Sequence, residues 1–566
     1  MNTHPNPTPL VSMTIGQALR TTAAQWPDRP GILFRKPRWQ RSWQAFDQEV
    51  DRVARGLIAL GFQKGDHIAI WGTNVPEWLL TQLAVARIGA ILITLNPEWK
   101  QAELTYALQQ SDTRGLVMIK GFEKPGKDKP FVYDYLGTLQ AMIPELSGLP
   151  EHQDLQVAEF PALRRIVIVD DQRHPGMMRW EDLIASGDGV SDATLHQAEQ
   201  QVDAEDVAMI QYTSGTTGFP KGAMLTHNNT VNNARIATAH LFLSEEDRLC
   251  GPVPFYHCFG SILVNLGCVV SGATMVIPGP IFDPHNTLEA IAQERATVVY
   301  GVPTMFITEL DERDFAAYDL SSLRTGIMAG APVDKELFEA VTRRMGATEI
   351  TIAYGLTETS PVTHQTYASD PYEKRHSTVG RPIEHTEAKI IDPSTLDELP
   401  DGEVGEIVVR GFHVMKGYYQ KPEETAKTML DGGWLRSGDL GIRDRDGYYR
   451  IVGRLKEMLI VGGHNVYPAE VEQALHSLLS DKVEMLQVVG IPHPKLQEVV
   501  GLAVKLHPGQ YLTLEEVKAR CEGNLEWPKI PRQLKIMDDF SAVMTVTGKI
   551  QKFKLRELLN ASEEPV

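Results

Sequence analysis

A run of small hydroxyl residues and glycines, followed by a lysine, is the part of this chain best suited to chemistry. The residues in it that could contact an anion are Thr213, Ser214, Gly215, Thr216, Thr217, Gly218 and Lys221. Glycines let the backbone approach an anion closely, N–H groups and hydroxyls donate to its oxygens, and the lysine adds a positive charge. The pattern therefore predicts a phosphate-binding loop.

This loop differs from the Walker A type. Pro220 precedes the lysine and Gly222 follows it, so the Ser or Thr that would hold Mg²⁺ in a Walker A loop is missing. The apolar run at 207–210 before the loop predicts the end of a buried strand.

Two further strings carry residues suited to a nucleotide. Tyr354 and Glu358 follow an apolar run at 350–352. A carboxylate at the mouth of a strand is a suitable Mg²⁺ ligand, and a tyrosine can stack on a purine. Asp439 follows Gly438, where it could accept two hydrogen bonds from a ribose diol, although Gly-Asp is also common in simple turns.

The last two strings lie nearer the C-terminus. A charged, glycine-flanked stretch at 453–457 leads into Gly462 and Gly463, and its pattern fits either a hinge or an ordinary linker. Lys549 follows a glycine near the end of the chain. Such a lysine can project into a cleft or remain solvated.

Together these strings resemble the adenylate-forming enzymes of the acyl-CoA synthetase type, the superfamily that also contains luciferases and peptide-synthetase adenylation domains. The resemblance covers essentially the whole chain, and segments 354–361 and 548–556 are most similar to medium- and long-chain fatty acyl-CoA synthetases. It implies conversion of a fatty acid, ATP and CoA into acyl-CoA, AMP and diphosphate through an acyl-adenylate. Mg²⁺ is the implied cofactor, and ATP and CoA are the implied co-substrates.

The resemblance also implies roles for single residues. In the nucleotide site, the loop from Thr213 to Lys221 is implied to bind the phosphates, and Glu358 with Thr213 to bind Mg²⁺. Asp439 is implied to bind the ribose. Tyr354, Arg454 and Gly330 are implied to lie beside the nucleotide. Elsewhere they are Lys549 as the catalytic lysine of adenylation, Lys456 as the hinge, Gly462 and Gly463 along the pantetheine tunnel, and Gly330 with His257 at the acyl pocket. The implied catalytic groups are Lys549, Lys221 and Glu358. A packed core position is the alternative for His257.

Alternating strand and helix patterns must position these residues. Apolar strands are predicted at 67–72, 90–95, 165–170, 297–301 and 323–328, with helical patterns between them. We expect an α/β fold with a large N-terminal domain, residues 1–455, of βαβ-type sheet subdomains plus a β-rich subdomain at about 380–453. A small, mobile α+β C-terminal lid domain, residues 456–566, is expected to follow. The lysine-rich stretch 120–129 is predicted to be a solvated loop.

Composition restricts the class of protein. The chain has 566 residues, 42% hydrophobic and 23% charged, as in ordinary globular proteins. A net charge of −18 argues against a general nucleic-acid binder. The four cysteines form no CxxC pair, so neither a disulfide framework nor a zinc site is predicted. With no signal-peptide pattern, we expect a cytoplasmic monomer or homodimer. Peripheral membrane contact is left open.

Several functions remain as alternatives to fatty acid activation. An aryl-acid or short- or branched-chain acid CoA ligase would carry the same strings, since pocket residues cannot be placed from sequence. A peptide-synthetase adenylation domain, a luciferase-like oxygenase and a catalytically silent nucleotide-binding scaffold are weaker alternatives.

Overall fold

The structure is a computed structural model that describes residues 7–125, 129–151, 154–213, 220–544 and 550–560. Several predicted site residues therefore lie outside the described residues, namely Ser214, Gly215, Thr216, Thr217, Gly218 and Lys549. Thr213 and Lys221, at the two ends of the predicted phosphate loop, are described.

Two largely parallel sheets form most of the N-terminal part. The strands of the first sheet, in spatial order, are Arg381–Pro382, Val362–Gln365, Thr351–Gly355, Thr325–Ala329, Val298–Gly301, Arg248–Cys250, Thr274–Ile277, Pro30–Phe34 and Trp39–Ser42. Those of the second sheet are Lys221–Thr226, Val207–Thr213, Ile91–Leu95, His67–Trp71, Gly115–Ile119, Arg165–Val169 and Met178–Arg179. Antiparallel strands occur at sheet edges, and the interior strands pair in parallel.

Helices pack on these sheets and on the smaller C-terminal sheet. The α-helices are Ile15–Gln25, Trp43–Ala59, Pro76–Arg87, Gln101–Gln110, Tyr135–Met142, Trp180–Ser186, Asp192–Gln200, His227–Ala239, Gly267–Ser271, Pro284–Glu294, Pro303–Leu310, Lys335–Ala340, Tyr372–Ser377, Pro422–Thr428, Pro468–Leu479, Leu514–Cys521 and Lys552–Asn560. Helix Trp43–Ala59 illustrates why the sequence forms a helix here. Phe46, Val50 and Leu57 recur on one buried face, and the Ser42 hydroxyl caps the N-terminus.

A shared core joins the two parallel sheets. One hydrophobic cluster includes Ile32 and Ile327 of the first sheet together with Ile68 and Leu92 of the second. Helix His227–Ala239 contacts Lys221–Thr226 of the second sheet and Val362–Gln365 of the first, and we call the region where these two sheets meet the junction. Most of the predicted nucleotide residues lie at this junction.

Two smaller sheets complete the chain. The β-rich sheet is antiparallel and contains Thr386–Ile391, Gly405–Gly411, Trp434–Arg443, Met429–Leu430 and Tyr449–Arg454. The C-terminal sheet contains His464–Val466, Leu459–Val461, Gln497–Leu506, Val483–His493 and Gln533–Ile536, and it has its own hydrophobic cluster. This mixed architecture confirms the predicted α/β fold class. The exact boundary at residue 455 stays a prediction.

The sequence-predicted elements agree with the structure, with one exception. The predicted strands all form. The predicted solvated loop at 120–129 is wrong in part, because Gly121–Lys124 pairs with Phe131–Asp134 as a two-stranded sheet. The four cysteines are free and buried. Among the described residues, no helix combines the length and apolarity needed to cross a membrane.

Candidate active site

The two ends of the predicted phosphate loop are held side by side by a β-hairpin. Strand Val207–Thr213 pairs antiparallel with Lys221–Thr226, and Thr213 is the register partner of Lys221. The apolar residues of the first strand anchor it in the second sheet. The pairing brings the Thr213 hydroxyl and the Lys221 ammonium group to the same end of the hairpin.

The side chain of Tyr418 links Glu358 to this hairpin. Glu358 lies in the short 3-10 turn Thr357–Thr359, after strand Thr351–Gly355 of the first sheet. Its Oε1 atom accepts a hydrogen bond of 2.7 Å from the Tyr418 hydroxyl, and the Tyr418 ring lies 5.1 Å from Lys221 Nζ. The structure therefore places Lys221 and Glu358 on either side of one buried aromatic side chain.

Lys221 also forms an ion pair with Glu424 of helix Pro422–Thr428. The second carboxylate oxygen of Glu424 accepts from Lys427 at 2.7 Å. Hydrogen bonds from Lys221 and Lys427 lower the pKa of Glu424 to about 2, so this carboxylate is ionised at neutral pH. The cation predicted to bind phosphate thus has a protein anion as its partner in this structure.

The predicted purine and ribose residues are in direct contact. The Tyr354 hydroxyl donates a 2.7 Å hydrogen bond to Asp439 Oδ2, and Arg454 Nε lies 3.3 Å from Asp439 Oδ1. Burial and the Asp439 carboxylate raise the pKa of Tyr354 well above its usual value, which keeps the phenol protonated. Asp439 and Arg454 are also register partners on paired strands of the β-rich sheet.

Glu406 holds the turn that presents Asp439. It is 1% exposed, and its carboxylate accepts from Arg436 Nε at 2.9 Å and from the Gly438 backbone N–H at 3.1 Å. Ser437 Oγ donates to the Ile407 carbonyl at 2.6 Å. These bonds fix the strand segment on which Asp439 stands.

Gly330 and His257 are the two residues predicted to border the acyl pocket. Gly330 follows strand Thr325–Ala329 and has a φ of +89°, which favours glycine. His257 is half-buried, and its carbonyl accepts from Ser261 Oγ, which in turn accepts from Gln211 on the strand that ends at Thr213. Cys258, beside His257, has its Sγ 3.8 Å from Thr357 Oγ1. The predicted gate residue thus adjoins the Glu358 turn.

The remaining predicted residues belong to the hinge and C-terminal part. Lys456 is exposed in the 3-10 turn Leu455–Glu457, directly after the strand that carries Arg454. Gly462 and Gly463, with φ of +59° and +85°, form the tight turn between Leu459–Val461 and His464–Val466. A Cβ at Gly462 would lie 2.8 Å from the Trp527 ring, so this turn requires glycine.

The structure brings most of the predicted nucleotide residues to one junction, and it adds three that sequence reasoning missed. The residues that meet there are Thr213, Lys221, Gly330, Tyr354, Glu358, Asp439 and Arg454. The missed residues are Glu406, Tyr418 and Glu424. Their types and local spacing give no signal, because each acts through a partner distant in the sequence.

A family model and known proteins match most of this chain. The family model described as AMP-binding enzyme matches residues 19–419, which is most of the chain. The protein named "Putative acyl-CoA synthetase YngI" from Bacillus subtilis (strain 168) is 45% identical over 97% of this chain and 97% of its own length.

Two further relatives extend the comparison. Medium-chain acyl-CoA ligase ACSF2, mitochondrial, from Bos taurus is 37% identical over 97% of this chain and 88% of its own length. The crystal structure of ATP-bound MatB from Rhodopseudomonas palustris has a TM-score of 0.80 and 27% identity, covering 97% of this chain and 99% of that one.

Proposed function

This chain belongs to the AMP-binding enzyme family, and we propose that it is an AMP-forming acyl-CoA synthetase whose acid substrate is a medium-chain fatty acid. The relatives named as acyl-CoA synthetase and medium-chain acyl-CoA ligase support both the reaction and the chain length. The overall reaction is fatty acid, ATP and CoA to acyl-CoA, AMP and diphosphate.

One observation supports the proposal above the others. Three charged residues that belong to three different sheets converge at one junction. They are Glu358, Lys221 and Asp439, the aspartate predicted to bind the ribose. A nucleoside triphosphate requires a carboxylate that binds its Mg²⁺, a positive charge beside its phosphates and an acceptor for its ribose hydroxyls. Their convergence favours ATP as the ligand.

In the first step the ionised fatty carboxylate attacks the α-phosphorus of ATP. A new C–O–P link forms, the α–β phosphoanhydride bond breaks, and diphosphate leaves with the bonding pair. No general base is needed, because a carboxyl group with a pKa of about 4 has already lost its proton. The barrier is charge repulsion, and Lys221 and Lys549 are proposed to lower it by placing positive charge against the phosphates.

The residues at the junction fit a magnesium ion. Glu358 offers a carboxylate and Thr213 a hydroxyl, and Mg²⁺ typically joins one or two carboxylates to substrate phosphates. Among the described residues, the hydrogen bond from Tyr418 occupies one Glu358 oxygen and leaves further acceptor capacity on the carboxylate. When bound, the ion would neutralise charge on the phosphate oxygens.

In the second step the CoA thiol attacks the acyl carbonyl of the acyl-adenylate. A thioester forms, AMP leaves, and the thiol proton, with an ordinary pKa of about 8.5, is released. The two steps need different groups beside one carbonyl. We therefore propose that the C-terminal part pivots near Lys456, bringing first Lys549 and then the Gly462–Gly463 turn to the site.

A two-part assay tests the proposal. Purified enzyme is supplied with ATP, Mg²⁺, CoA and acids of increasing chain length, together with aryl and branched acids, and AMP release is measured. We expect AMP to require both acid and CoA, with a maximum among medium-chain fatty acids. An optimum on aryl acids would replace the proposed substrate. Absence of both AMP release and diphosphate–ATP exchange with every acid would refute the enzyme.

A further inference from the structure

A short segment connects the phosphate hairpin to the Glu358 turn. We call residues 415–419 the connecting segment. Its first residue, Met415, donates a backbone hydrogen bond of 2.9 Å to the Glu358 carbonyl. Gly417 accepts from the Met224 N–H at 3.0 Å, and Tyr419 donates to the Gly222 carbonyl at 2.8 Å. Backbone bonds therefore fix this segment against both halves of the candidate site.

The Tyr418 side chain also connects the two halves of the candidate site, through its hydroxyl and its ring. It is 7% exposed, and its hydroxyl donates to Glu358 Oε1 at 2.7 Å. The face of its ring lies 5.1 Å from Lys221 Nζ, within the range of a cation–π contact. One rigid side chain thus touches both the carboxylate and the ammonium group of the candidate triphosphate site.

We infer that Tyr418 is a positioning residue for the triphosphate and its divalent cation: its hydroxyl orients the Glu358 carboxylate, and its ring supports Lys221. This inference rests on the proposed function, because it concerns how the same site holds nucleotide and Mg²⁺. Tyr418 itself has no assigned contact with substrate and is therefore not placed among the catalytic groups.

A phenol suits this position because it is a neutral donor. A lysine or arginine in its place would orient the carboxylate but would also cancel its charge, which would weaken attraction for a cation. A phenol has an ordinary pKa of about 10, so the Tyr418 O–H remains a donor across the physiological range. The Glu358 carboxylate is thus held in one orientation with its negative charge intact.

The alternative is that Tyr418 only packs the connecting segment. A packing role would change thermal stability without changing the Mg²⁺ requirement of nucleotide binding. A positioning role would change the Mg²⁺ requirement itself. The two readouts therefore separate the roles.

The test variant is Tyr418→Phe, which removes the hydroxyl and keeps the ring. The matched control is Tyr419→Phe: the neighbouring hydroxyl donates to the Asp112 carboxylate at 2.9 Å and makes no contact with Glu358 or Lys221 among those the structure shows. ATP binding is measured by calorimetric titration without acid or CoA, so no turnover occurs, over a series of Mg²⁺ concentrations.

We expect the Mg²⁺ concentration for half-maximal ATP binding to rise about 3- to 10-fold in Tyr418→Phe, the range of one ordinary hydrogen bond, because the tyrosine acts on the cation only through Glu358. Tyr419→Phe should match wild type. A Tyr418→Phe variant that keeps the wild-type Mg²⁺ requirement, whether or not it melts like wild type, would overturn the inference.

Two further measurements separate the possible failures. In a Glu358→Gln background, adding Tyr418→Phe should change the Mg²⁺ requirement no further, since the tyrosine acts through that carboxylate; an additive effect contradicts the inference. Tyr418→His keeps a ring and an N–H donor, and its Mg²⁺ requirement should lie between those of wild type and Tyr418→Phe. A requirement at or above that of the Phe variant contradicts a role for the hydroxyl. Diphosphate–ATP exchange by wild type tests the proposed function independently.

Discussion

The carboxylate of Glu424 is the ion-pair partner of Lys221, the lysine at the end of the predicted phosphate loop. The two residues are 203 positions apart in the sequence, and the connecting segment holds their elements together. Since Lys221 is proposed to bind the phosphates of ATP, nucleotide binding must break or rearrange this pair. Glu424 therefore competes with the substrate for the same cation.

Replacing Glu424 with Gln should strengthen ATP binding. The substitution removes the competing charge and keeps the size of the side chain. Because exposed ion pairs contribute little, we expect the ATP dissociation constant to fall only about 1.5- to 5-fold. Calorimetric titration measures it, with Glu423→Gln, an exposed neighbour on the same helix, as the control. Weaker binding by Glu424→Gln would instead mean that Glu424 holds Lys221 in its productive position.

The elements at this site were predictable where the information is local. The strands that end at Thr213 and Gly355 follow from the apolar runs at 207–210 and 350–352. Glu358 was identified because it follows such a strand, and Asp439 because it follows Gly438.

The rest depends on tertiary contacts that no local pattern encodes. Tyr418 and Glu424 gain their roles only when segments distant in the sequence meet at Lys221. The prediction of a solvated loop at 120–129 was wrong in part for the same reason. Phe122 stacks on Tyr133 at 4.6 Å across the strand pair, and Tyr133 lies beyond the lysine-rich stretch.

Asp439→Asn should weaken nucleotide binding and remove the preference for ribose. Its carboxylate is 6% exposed and already accepts from Tyr354, so it is oriented for further donors such as a 2′-hydroxyl. Hydrogen bonds to a charged group predict a loss of about 10- to 100-fold in ATP affinity. The measurement compares ATP with 2′-deoxy-ATP.

We expect wild type to bind ATP more tightly than 2′-deoxy-ATP and Asp439→Asn to bind the two nearly equally. Asp401→Asn, which removes an ion pair with Arg443 at the far end of the same strand, is the control for stability of the β-rich sheet. An undiminished ribose preference in Asp439→Asn would exclude Asp439 from the ribose contact.

Glu309 should make stability depend on pH. It is 1% exposed on helix Pro303–Leu310 within an apolar cluster, and burial raises its pKa to about 8. Below about pH 4.3 the carboxyl is protonated in both states. Between that value and about 8 the folded protein keeps a proton that the unfolded chain releases. The free energy of unfolding therefore decreases as pH rises through this window, by at most about 1.4 kcal/mol per pH unit.

Glu309→Gln should flatten this dependence. Urea unfolding at pH 5, 6, 7 and 8 measures it, and we expect the variant to gain most over wild type at pH 8. Glu312→Gln, which is half-exposed just beyond the same helix, is the control and should follow wild type. Parallel pH profiles for Glu309→Gln and wild type would show that Glu309 is ionised in the folded protein.

Lys549→Ala should separate the two half-reactions. If Lys549 stabilises charge only while the adenylate forms, diphosphate–ATP exchange should fall about 10²- to 10³-fold, as when one group that stabilises a developing anion is removed. Conversion of a supplied acyl-adenylate and CoA into acyl-CoA should stay within a few-fold of wild type, because thioester formation is proposed to occur after Lys549 has left the carbonyl. Lys554→Ala, exposed on helix Lys552–Asn560, serves as the control and should leave both rates unchanged. Equal losses in both half-reactions would mean that Lys549 does not act in adenylation alone, and the proposed pivot would then lose its main chemical reason.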